Sequence, residues 1–194
     1  MRKVVLFIAM SLDGYIADSE GGVGWLKGQD EDEGDGDVYT SFLRDVDTVI
    51  MGWNTYHQVV TELSPSEWVY AGLTSYIITH RDAVSQEKII FTRESPCDLV
   101  RRLSQEDGKD IWICGGADII RQLMREDLID TYNLSVIPVI LGNGIRLFGE
   151  LGCEIKLRLT EKQSYNGIVN LVYEKSKLNH GPTLPEHINC SSMP

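Results

Sequence analysis

Two short segments of the chain carry residues whose order suits phosphate chemistry. One is Val49-Ile50-Met51-Gly52-Trp53-Asn54-Thr55; the other runs Ile111-Trp112-Ile113-Cys114-Gly115-Gly116-Ala117-Asp118-Ile119-Ile120. Each reads as a buried strand that ends in glycine and passes into a helix, the first of these helices starting at Asn54 or Thr55. Such a junction leaves backbone N–H groups and the positive end of a helix dipole at the carboxyl edge of a sheet. That edge is where α/β proteins bind phosphates. A single junction is weak evidence, because any strand-to-helix turn can use glycine; two in one chain strengthen the case. Neither GxGxxG after a strand nor GxxxxGK[ST] occurs, so the ligand is not held by those fingerprints.

The elements that must position these loops are legible as apolar runs. Lys3–Ala9, Thr48–Met51, Ser75–Thr79, Lys88–Phe91, Ile111–Cys114 and Thr131–Val139 are rich in Val, Ile and Tyr and too short for helices. Several are unbroken, as expected of strands covered on both faces. Between them, Ser95-Pro96 opens a helix as N-cap and first-turn proline, with Leu99, Val100 and Leu103 on one face. A second helix spans Ala117 to about Met124, with Ile119, Ile120, Leu123 and Met124 on one side. Alternating strands and helices predict a mainly parallel sheet. Lys156–Ser164 and Ile168–Lys175 flank Tyr165-Asn166-Gly167, and an Asn-Gly turn predicts a C-terminal antiparallel hairpin on one sheet edge. The fold class is therefore α/β with a mixed sheet, one domain over residues 1–177 and a weakly patterned tail over 178–194.

Composition narrows the function. The 194 residues carry 18 Lys and Arg against 29 Asp and Glu, a net charge of −11, with no dense basic cluster, so nucleic acid is disfavoured as a partner. No stretch approaches the roughly 18–20 apolar residues of a membrane span. The N-terminus resembles a signal peptide, but its apolar run Val4–Met10 leads into Ser-Leu-Asp-Gly without a small-x-small cleavage site and reads as a first strand. Cys97, Cys114, Cys153 and Cys190 are scattered without a CxxC pair, which argues against zinc and fits a cytoplasmic location. Six carboxylates lie between Asp30 and Asp37, yet a calcium loop counted from Asp30 fails at Gly34 and Ser41. The run reads as a solvated loop, and no metal site is expected.

Four segments in order, Ser11-Leu-Asp-Gly-Tyr-Ile-Ala17, Met51-Gly-Trp-Asn-Thr-Tyr56, Cys114-Gly-Gly-Ala117 and Pro138-Val-Ile-Leu-Gly-Asn-Gly-Ile-Arg-Leu-Phe148, resemble the dihydrofolate reductase superfamily. The last of them is most similar to the branch of the riboflavin-biosynthesis reductase domain and its stand-alone relatives. The resemblance covers about residues 1–175. It implies a three-layer α/β/α fold that binds NADPH, with NADH as the alternative. It places Ala9, Ile16 and Ala17 against the nicotinamide. Gly52, Trp53, Asn54, Thr55, Thr79, His80 and Arg81 approach the phosphates and adenosine. Cys114, Gly115, Gly116, Ala117, Asp118 and Ile119 surround the pyrophosphate, with a cis Gly115–Gly116 bond. One departure matters: the family often has Arg where this chain has Trp53, which cannot pair with a 2′-phosphate but can stack on adenine. Arg81 is the candidate to supply that charge.

On the substrate side the resemblance implies a carboxylate early in the second helical segment. Asp37 is its nearest counterpart and Asp35 the next; an N-cap role explains Asp37 as well. Asp13 is a second acid candidate, which an Asp-Gly turn also explains. Ser135 lies on the strand that lines the substrate pocket in the family. Trp25 falls in a segment like the family's lid, His57 reads as a surface imidazole, and Arg146 faces either an anionic substrate or a partner subunit. The resemblance thus implies a reductase that passes hydride to a small heterocyclic, imine or carbonyl substrate, similar to 5-amino-6-(5-phosphoribosylamino)uracil reductase. Two alternatives stand beside it: a dihydrofolate reductase acting on 7,8-dihydrofolate, and a nucleotide-binding protein without turnover. A homodimer is the expected assembly, and no deaminase domain with zinc-ligand spacing is expected ahead of the first strand.

Overall fold

A computed structural model describes residues 1–30, 38–152 and 154–176. The apolar runs pair into an eight-stranded sheet of order β5-β4-β3-β6-β1-β7-β10-β9. Its strands are β1 (Val4–Ser11), β3 (Val46–Gly52), β4 (Thr74–Ile78), β5 (Ile89–Thr92), β6 (Asp110–Gly115), β7 (Thr131–Ile137), β9 (Leu157–Tyr165) and β10 (Ile168–Lys175). The first six are parallel to one another, while β10 runs antiparallel to β7 and β9. The hairpin turns at Asn166-Gly167 with φ of 46° and 74°, the positive values that an Asn-Gly turn supplies. The mixed sheet and the added antiparallel pair are those read from the sequence.

Alternation along the strands divides the apolar residues into two layers. On one face Leu6, Ile50, Ile111, Ile113, Tyr132 and Leu134 meet α3 (Pro96–Ser104) and α4 (Ala117–Arg125) through Leu99, Val100, Leu103, Ile120 and Leu123. Helix α3 begins as expected, with the Ser95 side chain accepting from the Asp98 N–H and Pro96 in the first turn. The opposite face gathers Val49, Met51, Ile77 and Trp112 beneath Phe7, Tyr39, Phe42, Tyr56, Trp68 and Tyr70. It is an aromatic layer: Phe7 stacks on Phe42 at 4.4 Å, and Trp112 meets Phe42 at 5.4 Å and Tyr70 at 5.2 Å, both edge-on. Helix α1 (Val38–Asp45) supplies Tyr39 and Phe42 to this layer.

The structure moves some expected boundaries. The helix after β3, α2 (Trp53–Gln58), starts at Trp53 because Gly52 is its extended N-cap, so neither Asn54 nor Thr55 caps it. It continues into a π-type turn, Val59–Leu63. β7 ends at Ile137, since Pro138 has no N–H to extend the ladder. A two-stranded ribbon of β2 (Tyr15–Ala17) and β8 (Ile145–Arg146) carries no apolar run long enough to mark it in the sequence. It packs closely: a Cβ at Gly144, φ +147°, would collide with the Ala17 carbonyl oxygen.

Candidate active site

Strands β3 and β6 are neighbours in the sheet, and the helices that follow them leave toward opposite faces: Tyr56 of α2 joins the aromatic layer, and α4 joins the other. Parallel strands whose connections diverge in this way open a crevice at their carboxyl ends. The two glycine junctions form its walls. Met51 pairs with Gly115, and a Cβ on Gly115 would sit 3.3 Å from Thr55 Oγ1. A Cβ on Gly52 would sit 3.3 Å from Ile119 Cδ1. The loops therefore touch, and side chains at either glycine would fill the gap. The Gly115–Gly116 bond is cis, and Gly116 caps α4 with no side chain on its first-turn N–H groups. Those donors face the crevice mouth with the positive end of a nine-residue helix behind them. Ala117 opens that helix, and Asp118, exposed beside it, pairs with Arg121.

From this crevice the wall continues outward through Trp53. The Arg81 guanidinium lies over the Trp53 ring, 5.1 Å from its centroid. Phe91 closes on Trp53 at 6.2 Å, and exposed His57 flanks it at 6.0 Å. Beyond them is a cleft of about 310 Å³ lined by Thr79, Arg81, Asp82, Phe91, Thr92 and Arg93. Thr79 is buried, with its Oγ1 accepting the Arg81 N–H at 3.1 Å, so it shapes the turn that presents Arg81. His80 and Asn54 are exposed beside the same edge. Asp82 is bound by Arg93 at 2.5 Å, whereas Arg81 has no carboxylate partner among the described residues. A free guanidinium stacked on an indole beside uncapped helix N–H groups fits a ligand with both an aromatic ring and phosphates. On these residues a phosphorylated dinucleotide cofactor fits the chain.

On the other side of the crevice Ala9 of β1 is paired with Ser135 of β7, which is paired in turn with Asn170 of β10. The Ser135 hydroxyl donates to Asn170 Oδ1 at 2.9 Å, and both residues are buried. Ile16 and Ala17 lie in β2, which packs against β1 and pairs with β8, where Arg146 stacks on Tyr15 at 4.7 Å. Arg146 is thus occupied within the ribbon. Cys114 precedes the two glycines, and burial pushes its thiol up to about 11 despite the hydrogen bond with Tyr70.

The acid candidates fare differently. Asp37 and Asp35 lie outside the described residues. Asp13 accepts from the Ser11 hydroxyl at 2.6 Å, the Leu141 N–H at 3.1 Å and the Gly142 N–H at 2.8 Å. The Ser11 bond first, with the two backbone donors, holds its carboxyl below the ordinary value. These three bonds tie the Ser11–Gly14 turn to the Pro138–Phe148 segment, and a lowered carboxyl favours the anion over the proton-donating form. Trp25 lies outside both apolar layers, its Nε1–H donating to the Gly22 carbonyl at 3.2 Å. Its loop is held a few residues on, where Asn166 Oδ1 accepts from the Asp30 N–H and Asn166 Nδ2 donates to the Asp30 carbonyl, each at 2.7 Å. That clamp ties the loop to the hairpin turn and had no sequence signal beyond the Asn-Gly pair itself.

The fold defines a protein of the dihydrofolate reductase-like class, with two glycine junctions meeting at the carboxyl ends of β3 and β6. Residues 2–171 match the model of the RibD C-terminal domain, and the chain belongs to that family, a reductase domain. Its relatives include two uncharacterised proteins of Bacillus subtilis (strain 168). YwjB is 44% identical over 179 residues, covering 90% of this chain and 99% of the relative. YyaP is 29% identical over 182 residues, covering 89% and 94%. Among solved structures, a putative riboflavin biosynthesis protein from Shewanella sp. PV-4 aligns with a TM-score of 0.77 and 27% identity, over 90% of this chain and 99% of that one. A diaminohydroxyphosphoribosylaminopyrimidine deaminase/5-amino-6-(5-phosphoribosylamino)uracil reductase from Thermotoga maritima aligns with a TM-score of 0.65 and 15% identity. This chain covers 57% of that larger protein. Among the described residues no helix is long and apolar enough to cross a membrane.

Proposed function

We propose that this protein is an NADPH-dependent reductase that delivers hydride to a small heterocyclic, imine or carbonyl substrate, similar in class to the 5-amino-6-(5-phosphoribosylamino)uracil reductase named in the Thermotoga maritima protein. The observation that carries this reading is the Arg81–Trp53 stack at the end of the crevice. The indole offers a face to adenine, and the unpaired guanidinium offers two parallel donors to a 2′-phosphate, which compensates for the family's missing arginine at position 53. The first-turn N–H groups of α4 serve the pyrophosphate. When bound, the cofactor supplies the hydride. Ala9, Ile16 and Ala17 provide small and apolar surfaces where β1 and β2 meet, excluding water from the reacting centre.

The proton that completes the reduction comes from Asp37 or from solvent in this reading, since the three hydrogen bonds accepted by Asp13 favour its anion. Titration of the purified protein with NADPH and NADH, followed by tryptophan fluorescence, tests the proposal. NADPH is expected to bind more tightly than NADH by roughly 10- to 100-fold, the worth of one or two charge-assisted contacts. Arg81→Ala is expected to erase that preference while leaving NADH affinity nearly unchanged. Absence of binding by either nucleotide refutes the proposal.

A further inference from the structure

One hydrogen bond at the centre of the sheet has no part in the reading above. Strand β1 pairs with β6 at Val4–Leu6, against Ile111–Ile113, and stops there, although β1 continues to Ser11 and β6 to Gly115. The Lys3 carbonyl accepts from the Ile111 N–H at 2.8 Å, and strand carbonyls point to the same side every second residue. The Phe7 carbonyl therefore faces β6, and the donor due to it in that register is the Gly115 N–H. That residue has left the β1 ladder: β6 shifts register, and Gly115 pairs with Met51 of β3. The acceptor left behind is occupied by a side chain. The buried Trp112 indole donates its Nε1–H to the Phe7 carbonyl at 2.9 Å.

The result is a fork between two central strands. Val4, Val5 and Leu6 are buried, whereas Phe7, Ile8, Ala9 and Met10 are half-buried, although β1 lies between β6 and β7 in the sheet. The exposure of β1 thus begins at the residue where β6 departs. Trp112 sits at the apex of the fork, packed edge-on against Phe42, Tyr70 and Phe7 itself, the last at 6.1 Å. Any buried indole N–H needs an acceptor. This one meets the carbonyl whose backbone donor is missing, two residues before Ala9, and so anchors the stretch of β1 that carries the nicotinamide-side position.

We infer that Trp112 is a positioning residue: its indole N–H replaces the lost rung at Phe7 and holds the free stretch of β1 in place for the nicotinamide half of the cofactor. This rests on the reductase reading, which puts the nicotinamide against Ala9. Trp112 acts through the Phe7 carbonyl and the backbone beyond it. The adenosine half is served by Trp53 and Arg81, which follow β3 and β4 on the other side of β6 from the fork. Loss of the N–H therefore weakens the nicotinamide half selectively, whereas a residue that merely fills the core would affect both halves alike.

The probes are NADPH and 2′,5′-ADP, which is its adenosine half with the 2′-phosphate. Each is titrated by calorimetry into the wild type and into Trp112→Phe, which keeps an aromatic ring and lacks the donor. In the variant the Kd of NADPH should rise about tenfold, the effect of one hydrogen bond, while that of 2′,5′-ADP stays within about twofold. The wild type supplies a second readout, which decides the case if Trp112→Phe does not fold. Its four tryptophans give four indole N–H signals in a ¹⁵N-labelled sample, three assigned through Trp25→Phe, Trp53→Phe and Trp68→Phe and the fourth by elimination. The Trp112 signal should exchange slowly with solvent, move when NADPH is added and stay in place with 2′,5′-ADP. A Trp112 signal that ignores bound NADPH overturns the inference and leaves the reductase reading standing. Equal weakening of both ligands in Trp112→Phe, or of neither, does the same. If NADPH fails to bind the wild type, the reductase reading falls and the positioning role falls with it.

Discussion

A single methyl group placed at residue 116 separates a ligand cradle from a merely tight turn. Gly116 has φ −88° and ψ 179°, a conformation open to alanine, and an added Cβ would find Thr55 Oγ1 at 3.9 Å as its nearest neighbour. The apo fold therefore has room for it, and loss of glycine's freedom in the unfolded chain offsets any small strain. The methyl would nevertheless stand beside the uncapped N–H groups of α4, where a phosphate oxygen must approach to within hydrogen-bond distance. Losing one charge-assisted bond costs about 1.5–3 kcal/mol, which is a rise of roughly 10- to 150-fold in Kd. Tryptophan fluorescence quenching by NADPH measures that change, and the thermal midpoint of Gly116→Ala, expected within a few degrees of the wild type, confirms a folded variant. A folded Gly116→Ala protein with wild-type NADPH affinity refutes the assignment of this junction to the cofactor. Gly115→Ala is the structural contrast, because φ at that position is +156° and the Cβ would press on Thr55 Oγ1 at 3.3 Å.

Asp13→Asn tests the loop anchor through pH. The folded-state pKa of Asp13 is depressed, so its stabilisation is complete above the ordinary value of 3.8 and fades as the pH falls through the folded value. The thermal midpoint of the wild type should exceed that of the variant at pH 7, and the gap should close toward pH 3; a constant gap contradicts the assignment. Asp47→Ala tests the far end of the sheet, where buried Arg2 pairs with Asp47, donates to Lys109 O at 2.5 Å and reaches Thr48 Oγ1 at 2.6 Å. Asp47 is itself 41% exposed, so the loss should be about 2–3 kcal/mol, below that of a fully buried pair, and should lower the midpoint by roughly 4–12 °C. Cys114, with its thiol raised to about 11, should resist iodoacetamide at pH 8 in the native protein and react after unfolding. Peptide mapping by mass spectrometry distinguishes it from the other cysteines.

The parts of this fold legible in the sequence are those where one physical signal acts alone. Unbroken apolar runs marked the six parallel strands, Ser95-Pro96 marked the start of α3, and Asn166-Gly167 marked the hairpin. The β2–β8 ribbon escaped because five residues have no periodicity to detect, and its strands are held by the Gly144 approach and the Arg146–Tyr15 stack instead. The start of α2 moved to Trp53 because backbone geometry at Gly52 overrode the side-chain preference of Asn54 and Thr55. At the candidate site, the two glycine junctions could be read from their strand-glycine-helix order, whereas Arg81 is suggested by the family resemblance alone. The bond between Ser135 and Asn170 could not be read: it depends on which strand lies beside β7, and strand pairing sets that.

The place of β1 at the middle of the sheet also fixes when the protein can fold during synthesis. Val4–Leu6 pair with Ile111–Ile113, and Val5–Ser11 pair with Thr131–Ile137, so the first strand made must wait for the sixth and seventh. At about 5–20 residues per second the interval is on the order of 5–25 s. Throughout it Val4–Met10 has no partner in the sheet, while β3, β4 and β5 can already associate in sequence. The nascent chain therefore carries β1 as an unpaired apolar strand until β6 and β7 are made, which makes that segment a natural target of a holding chaperone and a place where slowed synthesis would cause misassembly.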